Sequence, residues 1–247
     1  MSLNSDCITL DCVNKYFAKK QVLNNISMQI PKGSIYGLLG PSGCGKTTTV
    51  KIMAGILDAT SGETRVLGKK MPDLSLMNHI GYLAQSDALY SSLSGTENLT
   101  FFGNIFGLSG KNLKNRITEV LELVNLEDDL SKAVCAYSGG MKRRLSLAIT
   151  LLHRPEILIL DEPTVGIDPL LRESIWNELY VLAQTGITLL VTTHVMDEAD
   201  KCSHLSMMRA GNVLATGSPA EIIKNTGLST LEEAFIFYSK GGVSDEN

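Results

Sequence analysis

Two short stretches of this chain carry residue types at spacings suited to holding phosphate. Gly40-Pro41-Ser42-Gly43-Cys44-Gly45-Lys46-Thr47-Thr48 fits the pattern G-x-x-x-x-G-K-[ST]. A glycine-rich turn between strand and helix lets successive backbone N–H groups point at one spot, and the helix N-terminus adds partial positive charge there. Lys46 then reaches β- and γ-phosphates, and the Thr47 hydroxyl is a ligand for Mg²⁺. The second stretch is Tyr137-Ser138-Gly139-Gly140-Met141, a turn opening a basic helix with Lys142, Arg143 and Arg144. A bare Ser-Gly-Gly is most often only a helix cap, yet at such a helix start it also makes an anion cradle. A chain with two phosphate-facing sites is most simply accommodated if each nucleotide is clamped between two chains.

Other polar residues fall just past apolar runs. Gln85 follows Ile80–Ala84, Asp161 and Glu162 follow Ile157–Leu160, and His194 follows Gly186–Thr193. In open α/β sheets, ligands bind outside the carboxyl ends of parallel strands, so these residues and Gly40 are expected at one edge. Phosphoryl transfer needs charge neutralisation and an aligned water. Asp161 would hold Mg²⁺ directly or through a water. Glu162 would accept the attacking water's proton or polarise that water, Gln85 would bind Mg²⁺ or position the water, and His194 would hydrogen-bond the γ-phosphate. A Ser/His/Asp hydrolase is not supported, because no strained Ser elbow is evident. Cys44, beside Lys46 and a helix start, is placed either as a reactive thiolate that alkylation would block and ATP protect, or as an inert loop filler.

The elements that must position these groups follow from periodicity. Ile8–Tyr16 alternates as a half-buried strand, Val22–Ile30 reads as a second with an Asn-Asn turn in or beside it, and Ser61–Gly68 as a third. Together they predict a small antiparallel sheet with Tyr16 and Phe17 at its edge, where either ring could stack on adenine or simply serve the core. Ile35–Leu39 is a buried strand leading into the phosphate loop, and helical spacing runs on through Thr49–Leu57. From Asp87 to His153 the texture is helical, with helices at Thr96–Phe106, Leu113–Val124 (inward stripe Ile117, Val120, Leu121, Val124) and Gly140–His153 (Leu145, Ala148, Ile149, Leu152). Ile157–Leu160 reads as a central parallel strand buried on both faces. Arg172–Gln184 is a crossover helix, and a hairpin at His204–Met208 and Val213–Thr216 precedes helices at Pro219–Asn225 and Thr230–Lys240. Gly241–Asn247 reads as a frayed tail.

At 247 residues the chain can bury a proper core. With 22 basic against 26 acidic residues, net charge −4, it carries no global signal for a nucleic-acid partner. No apolar run approaches the roughly 20 residues a membrane helix needs, and Met1–Asp6 does not resemble a signal peptide. Five scattered cysteines without C-x-x-C spacing fit a reducing compartment, and four histidines show no metal-ligand spacing.

The order phosphate loop, Gln85, Tyr137–Met141, Ile157–Glu162, Gly166-Ile167-Asp168, His194 resembles the ATP-binding cassette (ABC) family of transporter ATPases over nearly the whole chain. The resemblance implies an α/β fold of the P-loop NTPase class: a mostly parallel central sheet, an N-terminal antiparallel β subdomain and an inserted α-helical subdomain. It implies a single ABC ATPase domain over 1–247, with a nucleotide-binding core at 1–85 and 155–247 and the helical subdomain at 86–154. It implies ATP with Mg²⁺ as ligands and a homodimer or paired ABC subunit on ATP binding. An integral membrane permease would be engaged by the helical subdomain, from the cytoplasmic face of the membrane. Phe17, or less readily Tyr16, would stack on adenine. Ser138 and Gly140 would contact the γ-phosphate held by the opposite protomer, Asp168 would couple the two sites, and His194 would be the switch histidine. The family's usual Leu and Gln of the signature are Tyr137 and Met141 here. That departure, with Leu231–Phe235, resembles the branch of drug-resistance, polysaccharide and lipid exporters. An importer ATPase, or a soluble ABC ATPase of cluster assembly, translation or repair, stays as the alternative.

Overall fold

The computed structural model describes residues 6–126 and 130–241. The expected tail beyond Gly241 and the residues before Asp6 lie outside the described residues. In chain order the first strands and helix are β1 (Asp6–Phe17), β2 (Lys20–Pro31), β3 (Ile35–Leu39), α1 (Lys46–Met53), β4 (Ser61–Val66), β5 (Lys69–Lys70) and β6 (Ile80–Leu83). The middle holds α2 (Gly95–Ile105), α3 (Gly110–Leu123), α4 (Gly139–Leu151), β7 (Ile157–Asp161) and α5 (Pro169–Gln184). Then come β8 (Thr188–Thr193), α6 (Met196–Ala199), β9 (His204–Arg209), β10 (Asn212–Gly217), α7 (Pro219–Thr226) and α8 (Leu231–Ser239). The chain packs as two units, Met1–Leu74 with Thr188–Asn247, and Ser75–Ile187.

In the first unit an antiparallel sheet runs β2-β1-β4-β5. Its buried face keeps Ile8 and Leu10, then Val13, inward. Strict alternation would bury Cys12 instead; a bulge there, with φ +49° at Cys12, shifts the phase by one residue. The same device operates in β2. Asn24-Asn25 does not turn the chain: Asn25 (φ +50°) lies in a register shift that carries the buried set from Leu23 to Ile26. Parallel to β3 on either side lie β8 and β9, and β10 pairs antiparallel with β9. Below it α7 and α8, each opened by a capping box (Ser218 with Glu221, Thr230 with Glu233), bury Ile222, Leu231 and Ala234 against Leu205 and Met207. Helix α1 is shorter than its apolar spacing predicts. Gly55 takes the left-handed conformation (φ +71°) that ends a helix, leaving Ile56 exposed.

In the second unit β6 and β7 pair in parallel, Ile80 with Ile157 through Leu83 with Leu160, and β7 is buried along its whole length. Helices α2 and α3 pack on α4. The α3 stripe differs from expectation: Ile117 is half-buried and Arg116, 6% exposed, takes the inward place beside Val120 and Leu121. Its guanidinium donates to the Leu151 and Leu152 carbonyls at the end of α4, where intrahelical donors run out. Pro169 starts α5 at the first turn, three residues earlier than its apolar pattern shows.

Candidate functional site

The phosphate loop lies between β3 and α1. A Cβ on Gly40 would collide with the Met208 carbonyl oxygen and come within 2.8 Å of Cys44 Sγ, so glycine is obligatory there. Gly45 takes φ +115°, which aims the chain into the first turn of α1. Lys46 Nζ folds back to donate to Gly40 O (2.7 Å) and Pro41 O (3.3 Å), and Thr47 and Thr48 stand half-buried at the helix start. Cys44 is 4% exposed. Reactive thiols need an accessible, electropositive setting, so burial removes the basis for the expected alkylation, and the inert filler describes this residue.

The strand carrying His194 is tied to that loop. Gly40 N–H donates to Thr193 O (3.2 Å), extending the β3–β8 ladder to the strand ends, and His194 follows immediately, exposed. Thr193 Oγ1 donates to Glu198 (2.6 Å) and accepts from Val195 N–H (3.0 Å), which pins the turn after β8. Phe17 and Tyr16, both at the end of β1, are 48% and 42% exposed. Lys15 Nζ sits 5.1 Å above the Phe17 ring, so one face of that ring is already used.

The second unit assembles the carboxylates. Asp161 is buried at the end of β7 and Glu162 follows, half-buried, at φ +50°. A non-glycine residue in the left-handed region is uncommon and costs about 1 kcal/mol or more; here it turns the carboxylate off the strand. Gln85, just past β6, donates from Nε2 to Glu162 Oε2 (3.0 Å). The Tyr82 phenol is pushed up to about 12 by burial and by the charge of Asp161. Beneath this edge lies the buried Arg143 of α4, which the sequence shows only as one charge of a basic helix. Its acceptors are mostly main-chain carbonyls, which leave no trace in a residue pattern.

Ser138 caps α4, accepting from Met141 N–H (3.2 Å), with Gly139 exposed beside it. Asp168 caps α5 in the same way, accepting from Leu171 N–H (3.1 Å). The Leu171 side chain occupies the space a Cβ on Gly140 would need, which brings the two capped turns together. Tyr137 is buried, with its hydroxyl filling the side-chain space that Gly95 leaves at the start of α2. Lys46, Thr47 and His194 thus gather on one unit, and Gln85, Asp161, Glu162, Ser138 and Asp168 on the other.

Comparison with known proteins gives these arrangements a context. A family model described as ABC transporter matches residues 23–165. The probable multidrug ABC transporter ATP-binding protein YbhF of Escherichia coli is 38% identical over 231 residues, covering 91% of this chain and 40% of that protein. The chain therefore spans less than half the length of that relative. The daunorubicin resistance ATP-binding protein DrrA3 of Streptomyces coeruleorubidus is 38% identical over 223 residues, covering 89% of this chain and 71% of that protein. Among solved structures, a dimeric ATP-binding cassette in a post-hydrolysis state bound to ADP and Pi superposes with TM-score 0.78 at 27% identity. That match covers 85% of this chain and 98% of the other.

Proposed function

The chain belongs to the ABC transporter family, and on that premise we propose that it binds and hydrolyses ATP as the nucleotide-binding subunit of an exporter. It acts as a homodimer or with a paired ABC subunit, on the cytoplasmic face of a membrane, driving a separate integral membrane permease. The observation that carries the reading is Glu162, a carboxylate turned off a fully buried strand and oriented by the Gln85 amide.

Each residue then has a task. The loop from Gly40 through Pro41, Ser42, Gly43, Cys44 and Gly45 to Thr48 wraps the phosphates, the donors being backbone N–H groups after Pro41, which has none itself, and Lys46 leaves its loop carbonyls to meet the β- and γ-oxygens. Phe17 stacks on adenine. Glu162 takes the proton of the attacking water, Gln85 holds that carboxylate and the water in line, and His194 hydrogen-bonds the γ-phosphate. Ser138 and Gly140 of one protomer close on the γ-phosphate held by the other, and Asp168 links the two sites. Thr47, Gln85 and Asp161 bring hard oxygen donors, few in number, which suits Mg²⁺, an ion that completes its shell with waters and phosphates. When bound it neutralises phosphate charge.

The relatives' multidrug and daunorubicin-resistance names support the exporter direction. Among the described residues no helix is long and apolar enough to cross a membrane. An exposed aromatic cluster on the second unit suits a permease contact: Tyr90 and Phe101 pack edge-on at 4.9 Å, and Phe101 meets Phe102 at 5.3 Å.

The deciding experiment is Glu162→Gln, sized with Mg²⁺ and ATP beside wild-type turnover. A variant that dimerises only with ATP and no longer hydrolyses it supports both the dimer and the base. Retained hydrolysis removes Glu162 from its role, and a wild type that never turns over ATP overturns the reading.

A further inference from the structure

We infer that Arg143 is a positioning residue for the hydrolytic step, clamping the carboxyl-terminal ends of β6 and β7 so that Gln85 and Glu162 meet. The inference rests on the proposed ATPase reading.

A guanidinium has five N–H donors in a rigid planar fork. In Arg143 each has an acceptor. Nε donates to Pro163 O (2.7 Å), and Nη1 to Ala84 O (2.8 Å) and Asp87 Oδ1 (3.4 Å). Nη2 donates to Asp161 O (3.3 Å) and Glu162 O (3.2 Å). Ala84 is the residue before Gln85, and Asp161 and Glu162 are the proposed Mg²⁺ ligand and base. Arg143 therefore grips the main chain on both sides of the Gln85–Glu162 hydrogen bond.

The grip depends on the unusual backbone at Glu162. Along a regular strand successive carbonyls point to opposite sides, so one group cannot collect three in a row. The left-handed φ of Glu162 breaks the alternation, and the carbonyls of Asp161, Glu162 and Pro163 converge on one fork. Arg143 in turn gives the strained turn the bonds that hold it. Asp87 orients the fork from the far end and is itself held by Ser146 Oγ at 2.8 Å. Burial opposes the guanidinium charge, and the charges of Asp87 and Asp161 support it. Lysine keeps the charge but presents three donors from one point, which cannot span this set.

The test is Arg143→Lys in the full chain, with turnover expressed per ATP-binding-competent chain. The expected result is ATP affinity and KM close to wild type, with kcat lower by on the order of 10- to 100-fold, as for misplaced catalytic groups. A merely structural role would reduce the amount of competent chain and leave turnover per competent chain intact. Turnover within twofold of wild type overturns the inference. If the lysine variant does not fold, Asp87→Asn decides: kcat falling several-fold at unchanged KM supports the clamp, and unchanged kcat overturns it. A wild type without turnover would overturn the ATPase reading and this inference together, whereas an active wild type matched by Arg143→Lys sinks this inference alone.

Discussion

The side-chain amide of Gln85 donates to the carboxylate of Glu162 across 3.0 Å, joining residues 77 positions apart through the ends of two paired parallel strands. A carboxylate acting as base must present one oxygen to the water, and this bond fixes which oxygen faces away. Gln85→Ala is expected to lower kcat by about 10-fold with ATP affinity unchanged, the size of one lost orienting hydrogen bond to a charged group. Steady-state kinetics beside equilibrium ATP binding measure the split; a rise in KM with kcat unchanged would assign Gln85 to binding instead.

Gly40 and Gly43 lie in one loop but differ in what surrounds them. A side chain at Gly40 meets the backbone of Met208, whereas at Gly43 there is open space and only the positive φ (+77°) to pay for. Gly40→Ala should destabilise the chain by roughly 1–3 kcal/mol, as overpacking does, and abolish ATP binding. Gly43→Ala should cost about 1 kcal/mol. Urea unfolding of both variants gives the comparison, and equal losses would contradict the collision.

Both aromatic residues at the end of β1 are exposed, so truncating either leaves the core intact. Phe17→Ala is expected to weaken ATP binding about 3- to 10-fold, the worth of one aromatic stacking contact, without shifting Tm. Tyr16→Ala should do little. The reverse result would move the adenine contact to Tyr16.

Glu178 on α5 is buried, and burial raises its pKa to about 7, with Arg144 (3.4 Å) and Ser174 (3.4 Å) pulling the other way. The folded state therefore holds a proton that the unfolded state releases near pH 4.5. Stability from this group is fully present below that pH and is lost as pH rises towards 7. Glu178→Gln should unfold like wild type near pH 4 and be more stable above pH 7, by on the order of 1–3 kcal/mol. Denaturant midpoints at the two pH values check it; an equal gain at both would put the effect down to packing rather than ionisation.

Much of this was legible beforehand because it depends on side-chain type. Four aliphatics ending at Asp161 announce β7, and Gly40 to Thr47 announces the phosphate loop. Backbone conformation was the harder part. Apolar spacing continues past Gly55, so the end of α1 shows only in a φ value, and Asn24-Asn25, expected as a turn, is a bulge. Arg116 was passed over because a charged residue in an apolar stripe reads as solvent-facing, whereas its guanidinium closes the exposed carbonyls of another helix. Cys44 failed as a reactive thiol because proximity along the chain says nothing about access.

Helix α4 is held at three points: Ser138 closes its first turn, Arg143 anchors its second, and Arg116 closes its last carbonyls. Its 13 residues span about 20 Å. A helix held at both ends has few open backbone groups from which to fray, so a displacement of its Ser138 end is expected to move the Arg116 end with it. Mechanical work delivered at the signature turn would be carried across the helical region by translation, with little dissipated in local unwinding.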